Sequence, residues 1–138
     1  MALVLDTGVL LAALNESDPD HGACFELLQS TGEPFVIPTP VLVELDYWLR
    51  ELAAPDAWVI FCEDVGRGAY TLYQVDDRLL VATSDLQARY ADQPIGFVDA
   101  AVATTCWALG ERTVATLDRR HFGVLRTSAG EPLAIVPQ

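Results

Sequence analysis

Apolar residues along this chain come in short unbroken runs and in helical stripes, and the two alternate. Ala2 to Leu5 is a run too short for anything but a strand, and Asp6 ends it. An unbroken run of this kind reads as a strand buried on both faces, as in a parallel sheet. Thr7–Leu14 follows as a short helix, and residues 15–20 as a turn. Ser17 or Asp18 is placed to cap a second helix, with Pro19 near its first position and Gly32 as its stop. Residues 35–37 make a second strand between two prolines, after which Thr39 is expected to cap a third helix that has Pro40 at its first position. That helix carries Val41, Leu42, Leu45, Trp48, Leu49 and Leu52, a 3.6-residue stripe.

A fourth helix is predicted over residues 56–64, opened by Pro55 and broken by Gly66 and Gly68. Residues 69–75, rich in β-formers, read as a third strand. Asp76 and Asp77 start a long helix that runs to Tyr90, and a sixth helix covers residues 97–109 and stops at Gly110. Residues 113–116 are a fourth strand, 119–123 a turn or short helical piece, and 133–136 a last strand. Short strands alternating with helices imply an α/β fold with a mostly parallel sheet and helices on both faces. Ligands bind such sheets at the carboxyl ends of the strands, and Asp6 stands at one of those ends.

The 138 residues fit a single domain, 1–138, and the 51% apolar content argues against disorder. No apolar stretch approaches the ~18 residues a membrane span needs. No basic region precedes the first apolar run, as a secretory leader would require. Cys24, Cys62 and Cys106 are widely spaced and form no metal or disulfide pattern, which suits a reducing cytoplasm.

The net charge of -12 argues against an ordinary nucleic-acid binder with a basic face. It leaves room for an acidic site that works through bound cations. All eight basic residues are Arg. The lack of Lys removes a P-loop and a Schiff-base enzyme, and weakens a phosphoaspartate reading in which Asp6 is the nucleophile. That reading also lacks a second Asp two residues on, where Gly8 stands.

Four acids sit at strand exits or helix starts among apolar neighbours: Asp6, Glu44, Asp99 and Asp118. Each has an ordinary use. Asp6 and Asp118 can cap the helical turns that follow them, Asp99 can favour a helix start, and Glu44 can face solvent. Together they lie on elements whose ends converge on one edge of a parallel sheet. Gathered carboxylates raise one another's pKa, and a hard divalent cation, Mg²⁺ or Mn²⁺, relieves the repulsion. His21 and His121 form no zinc-ligand spacing, and His121 is read as a packing residue. Asp46, Asp76, Asp77 and Asp85 are read as surface or helix-start acids.

The set Leu5-Asp6-Thr7, Pro40 to Glu44, Phe97-Val98-Asp99-Ala100 and Thr116 to Phe122 resembles the PIN-domain ribonucleases, as found in the toxins of VapBC toxin–antitoxin pairs. The resemblance spans nearly the whole chain and implies a three-layer α/β/α sandwich with a short parallel sheet. It further implies Mg²⁺- or Mn²⁺-dependent endoribonuclease activity on RNA. Asp6, Glu44 and Asp99 match the family's three main acids, and Asp118 its more variable fourth. Thr7 and Thr116 are placed either to orient a carboxylate or a water, or simply to cap or pack. Arg119 and Arg120 are placed either to contact RNA phosphate or simply to face solvent. A small antitoxin that covers the acidic groove and a homodimer are the partners the family implies. Tyr47, Trp48, Trp58 and Phe61 leave both a core and an interface role open. Two further readings share the fold: a binding module that has lost its metals, and a structure-specific DNA nuclease.

Overall fold

The computed structural model describes residues 1–127 and 129–138. Among these residues five short strands carry the sheet: β1 (Leu3–Leu5), β2 (Phe35–Pro38), β3 (Thr71–Tyr73), β4 (Thr113–Ala115) and β5 (Ala134–Val136). Their order is β3-β2-β1-β4-β5 and every neighbouring pair is parallel. β1 lies in the middle, and Leu3, Val4 and Leu5 are all buried, as an unbroken apolar run requires. The order reverses direction on either side of β1, which opens a crevice at its carboxyl end.

Among the described residues seven helices surround the sheet: α1 (Thr7–Leu14), α2 (His21–Ser30), α3 (Pro40–Glu51), α4 (Pro55–Gly66), α5 (Asp77–Arg89), α6 (Phe97–Ala108) and α7 (Arg119–Phe122). The result is the α/β/α sandwich expected from the sequence. Helix α6 packs on β1, β2 and β4, and α5 packs on α6. Residues 100–106 of α6 are all buried, so the helix is enclosed on every side there, and its own side chains in that stretch are small (Ala, Val, Thr and Cys). Its buried hydroxyls are satisfied locally: Thr104 and Thr105 donate to the carbonyls of Ala100 and Ala101, and Thr104 also meets Thr83 of α5 at 2.9 Å. Among the described residues no helix is long and apolar enough to cross a membrane.

Local chemistry shifts several expected boundaries. α2 begins at His21, because Asn15 and Asp18 turn the chain through bonds to the amides of Ser17 and Asp20. Thr39 is already helical (φ −57°, ψ −31°) and makes no side-chain cap. Its amide donates instead to the Tyr73 carbonyl. The third strand is shorter than expected, because β3 is an edge strand paired only with β2 and largely exposed. In α3 only Val41, Leu45 and Leu49 are buried; Trp48 and Leu52 point outward, each almost half exposed. Cys24 and Cys106 are buried, and burial pushes their thiols up to about 11 and about 12.

Candidate active site

Asp6 leaves β1 as the N-cap of α1, with Oδ1 accepting from the Thr7 amide at 2.8 Å. Its other oxygen, Oδ2, accepts from the hydroxyl of Thr116 at 2.7 Å. Thr116 follows β4, the strand beside β1, and is fully buried. Its oxygen in turn accepts from the Asp118 amide at 3.0 Å, so one hydroxyl positions both Asp6 and the turn that carries Asp118. Asp6 is only 5% exposed. Burial raises its pKa, and Glu44 and Asp118 raise it further; the bonds from Thr116 and Thr7 oppose this. Glu44, one turn into α3, accepts from the Thr7 hydroxyl at 2.6 Å, which ties α3 to the start of α1.

Asp99 lies in the first turn of α6, two residues after Phe97. Its carboxyl is pushed up to about 7, chiefly by burial, then by the charges of Asp6, Asp118 and Glu44; His121 pulls the other way. Asp118 caps the short α7: its Oδ1 accepts from the His121 amide at 3.0 Å, and its Oδ2 lies 2.8 Å from His121 Nδ1. Burial favours a higher value for Asp118. The amide and imidazole bonds from His121, its charge and the Arg120 amide outweigh burial and hold the carboxyl below the ordinary range. His121 Nδ1 also approaches Asp99 Oδ2 at 3.5 Å.

All four proposed acids line one cleft of about 370 Å³, together with Thr7, Gly8, Leu11, Trp48 and Leu117. The ordinary cap roles of Asp6 and Asp118 are therefore real and coexist with a place in the cleft. Among the described residues no Arg lines it. The four carboxylates, one of them titrating near neutrality, outnumber the single imidazole of His121 beside them and leave negative charge uncompensated. That donor set fits a hard divalent cation bound through oxygen. Thr7 lines the cleft and Thr116 lies beneath it. Arg119 is exposed and donates to the Pro137 carbonyl; Arg120 is exposed. A larger cavity of about 770 Å³ runs along α5 and the end of α6, lined by Leu79, Ala82, Arg89 and Trp107 among others, and contains none of these acids.

Two residues stand where the sequence reading did not put them. His121, taken as a packing residue without ligand spacing, joins Asp99 and Asp118 in a group whose donor atoms lie within 4.8 Å of one another. The available signal was its spacing from Asp118: three residues along a helical turn bring the two side chains to one face. Trp48, assigned to the α3 stripe, borders the cleft. Phe61 is core, whereas Tyr47 stays exposed and meets Trp48 edge-on at 5.1 Å between ring centroids. Asp46 pairs with Arg50 on the surface at 3.3 Å, and Asp76 caps α5.

Residues 3–126 match the family model of the PIN domain. Over 135 residues the chain is 32% identical to Ribonuclease VapC26 of Mycobacterium tuberculosis, covering 98% of this chain and 100% of that protein. Among solved structures, the sarcin-ricin loop cleaving toxin VapC20 of Mycobacterium tuberculosis superposes with a TM-score of 0.76 at 20% identity, over 82% of this chain and 87% of that one. The DNA-bound VapBC of Salmonella typhimurium gives 0.69 at 21% identity, over 98% of each chain. These two structural likenesses concern the fold.

Proposed function

The chain belongs to the PIN-domain family, and from that premise we propose that it is a divalent-metal-dependent endoribonuclease, the toxin of a type II toxin–antitoxin pair. The observation that carries this reading is the convergence of Asp6, Glu44, Asp99 and Asp118 from four separate elements on one cleft with no Arg among its described lining residues. The 32% identity to a named ribonuclease over nearly the full chain supports RNA as the substrate.

The four acids are the proposed ligands and catalytic groups. Mg²⁺ or Mn²⁺ held by Asp6, Glu44, Asp99 and Asp118 would supply an acidified water and positive charge for the phosphoryl oxygens. The protein's own part is positioning. Thr116 and the Thr7 amide hold both Asp6 oxygens in place, so this buried carboxylate does not reorient. The Thr7 hydroxyl holds one Glu44 oxygen and leaves the other free to turn toward the cleft. Burial and the neighbouring acids push the Asp99 carboxyl up to about 7, and a bound cation would favour its ionised form.

RNA meets an acidic chain here, so its grip comes from a few contacts outside the acids. Trp48 offers an aromatic face for a base at the cleft rim, and Arg119 and Arg120 offer cations for phosphate. A small antitoxin with a basic segment complements the cleft, and solved relatives are themselves toxin–antitoxin complexes. We place the protein in the cytoplasm, where three free thiols are at home, and propose a homodimer, for which Val43, Val59, Ile60 and Val81 leave exposed apolar surface.

The test is cleavage of single-stranded and structured RNA, with flap DNA in parallel, by the purified chain in EDTA and then in Mg²⁺ or Mn²⁺. Metal-dependent RNA cuts that disappear in Asp6→Asn and Asp99→Asn are expected. Cleavage that persists in EDTA, or a preference for flap DNA, overturns the reading. Calorimetry that detects no metal binding points instead to a silent PIN-like module.

A further inference from the structure

The four acids offer only oxygen, and oxygen ligands alone suit Mg²⁺ well. Beside two of these acids stands one further donor of a different kind. His121 Nδ1 lies 2.8 Å from Asp118 Oδ2 and 3.5 Å from Asp99 Oδ2. Two adjacent donors on one octahedral ion with bonds of ~2.1 Å are about 3 Å apart. Both separations lie near that spacing, and the three donor atoms all lie within 4.8 Å of one another, close enough to serve one ion as neighbouring ligands.

Local structure holds the imidazole there. Asp118 Oδ1 is occupied by the His121 amide, which closes the first turn of α7 and leaves Oδ2 facing the ring. Phe122, the next residue, is fully buried and anchors that turn against the core. The turn is also closed by Gly123, where a Cβ would stand 2.4 Å from the Arg119 carbonyl oxygen. The ring is therefore aimed at the acids by a turn that is bonded at its start and anchored by a buried side chain.

We propose that His121 is a metal ligand through Nδ1, and that it biases the Asp99–Asp118 side of the cleft toward a transition-metal ion such as Mn²⁺ over Mg²⁺. The inference rests on the metal-dependent reading above and adds to it a nitrogen donor and an ion preference. Ligation uses the tautomer that carries its hydrogen on Nε2, so the Nδ1 lone pair points at the ion. Mg²⁺ gains little from a nitrogen donor, whereas imidazole binds first-row transition metals well.

Mn²⁺ is the probe. Pulsed electron paramagnetic resonance of the wild-type chain loaded with one equivalent of Mn²⁺ is expected to show coupling to an imidazole ¹⁴N, lost in His121→Gln. Calorimetry is expected to show Mn²⁺ affinity falling about tenfold or more in His121→Gln, with Mg²⁺ affinity changed less than about threefold. The wild-type spectrum needs no variant, so the test survives if His121→Gln folds poorly. Mn²⁺ that binds with an oxygen-only spectrum overturns this inference and leaves the metal-dependent reading standing. Equal loss of both ions in a folded His121→Gln overturns the preference. Absence of Mn²⁺ and Mg²⁺ binding in the wild type overturns both.

Discussion

Asp99→Asn in metal-free protein isolates the electrostatic cost of the acid cleft. The folded chain keeps the Asp99 proton up to a pH of about 7, against 3.8 for an ordinary Asp. Between those values the folded state holds more protons than the unfolded one, so stability falls as pH rises. Below 3.8 both states are protonated and the penalty is absent; above about 7 it is present in full. At 1.36 kcal/mol per pH unit, the gap between 3.8 and about 7 amounts to roughly 4 kcal/mol. Asp99 is 24% exposed in its side chain, so solvent screens only part of this. Asn keeps the shape and abolishes the charge, and it relieves Asp6 and Asp118 as well.

The assay is urea and thermal denaturation of both proteins in EDTA from pH 4 to pH 8.5. The stability difference between Asp99→Asn and wild type should start near zero at the acid end and grow in favour of the variant. It should level off above about pH 7 at up to about 4 kcal/mol, or roughly 15 °C in Tm for a chain of this length. Mg²⁺ at pH 8 should raise the wild type and leave the variant nearly unmoved. Parallel pH curves for the two proteins, or a difference that shrinks as pH rises, would refute the argument.

Thr116→Val removes the buried hydroxyl that serves both Asp6 and the Asp118 amide, and should cost about 1.5–3 kcal/mol by denaturation in EDTA while lowering RNA turnover. Gly123→Ala places a methyl 2.4 Å from the Arg119 carbonyl oxygen; the backbone shift should cost about 1–3 kcal/mol, and nuclear magnetic resonance should report displaced His121 ring signals. Trp48→Ala should raise KM for single-stranded RNA with kcat little changed, whereas Trp48→Phe, which keeps an aromatic face, should retain most of the affinity. Arg120→Ala should weaken RNA binding uniformly across sequences and flatten its salt dependence.

Most of the fold was legible because each element announces itself in a few residues. The run before Asp6 has no polar position to give to solvent, so it could only be a central strand. Gly32 and Gly110 adopt φ of +67° and +70° just past α2 and α6, where they were read as stops. The departures lie where local pattern meets long-range bonding. Thr39 stands just before Pro40 at the start of α3 as expected, yet its side chain caps nothing: its backbone is already helical, and its amide is tied to Tyr73, a partner 34 residues away on an edge strand whose position no local pattern reports.

The site divides along the same line. Four acids at element ends were visible one by one, and topology alone argued that they face one another. What local pattern could not express is how each carboxylate is shared. Asp6 and Asp118 are helix caps and cleft acids at once, because a carboxylate has two oxygens and a cap uses only one of them. For Asp118 the remaining oxygen meets His121, a residue whose spacing from the nearest other histidine, 100 positions away, made it look irrelevant to metal binding. Ligand spacing within the sequence is a rule for sites built on one hairpin or one helix. This cleft draws from β1, α3, α6 and the turn after β4, so a lone histidine can join it, with its partners supplied by other elements. For such sites the informative local signal is a cap acid with a donor side chain three residues on, since one turn of helix then aims both at the same point.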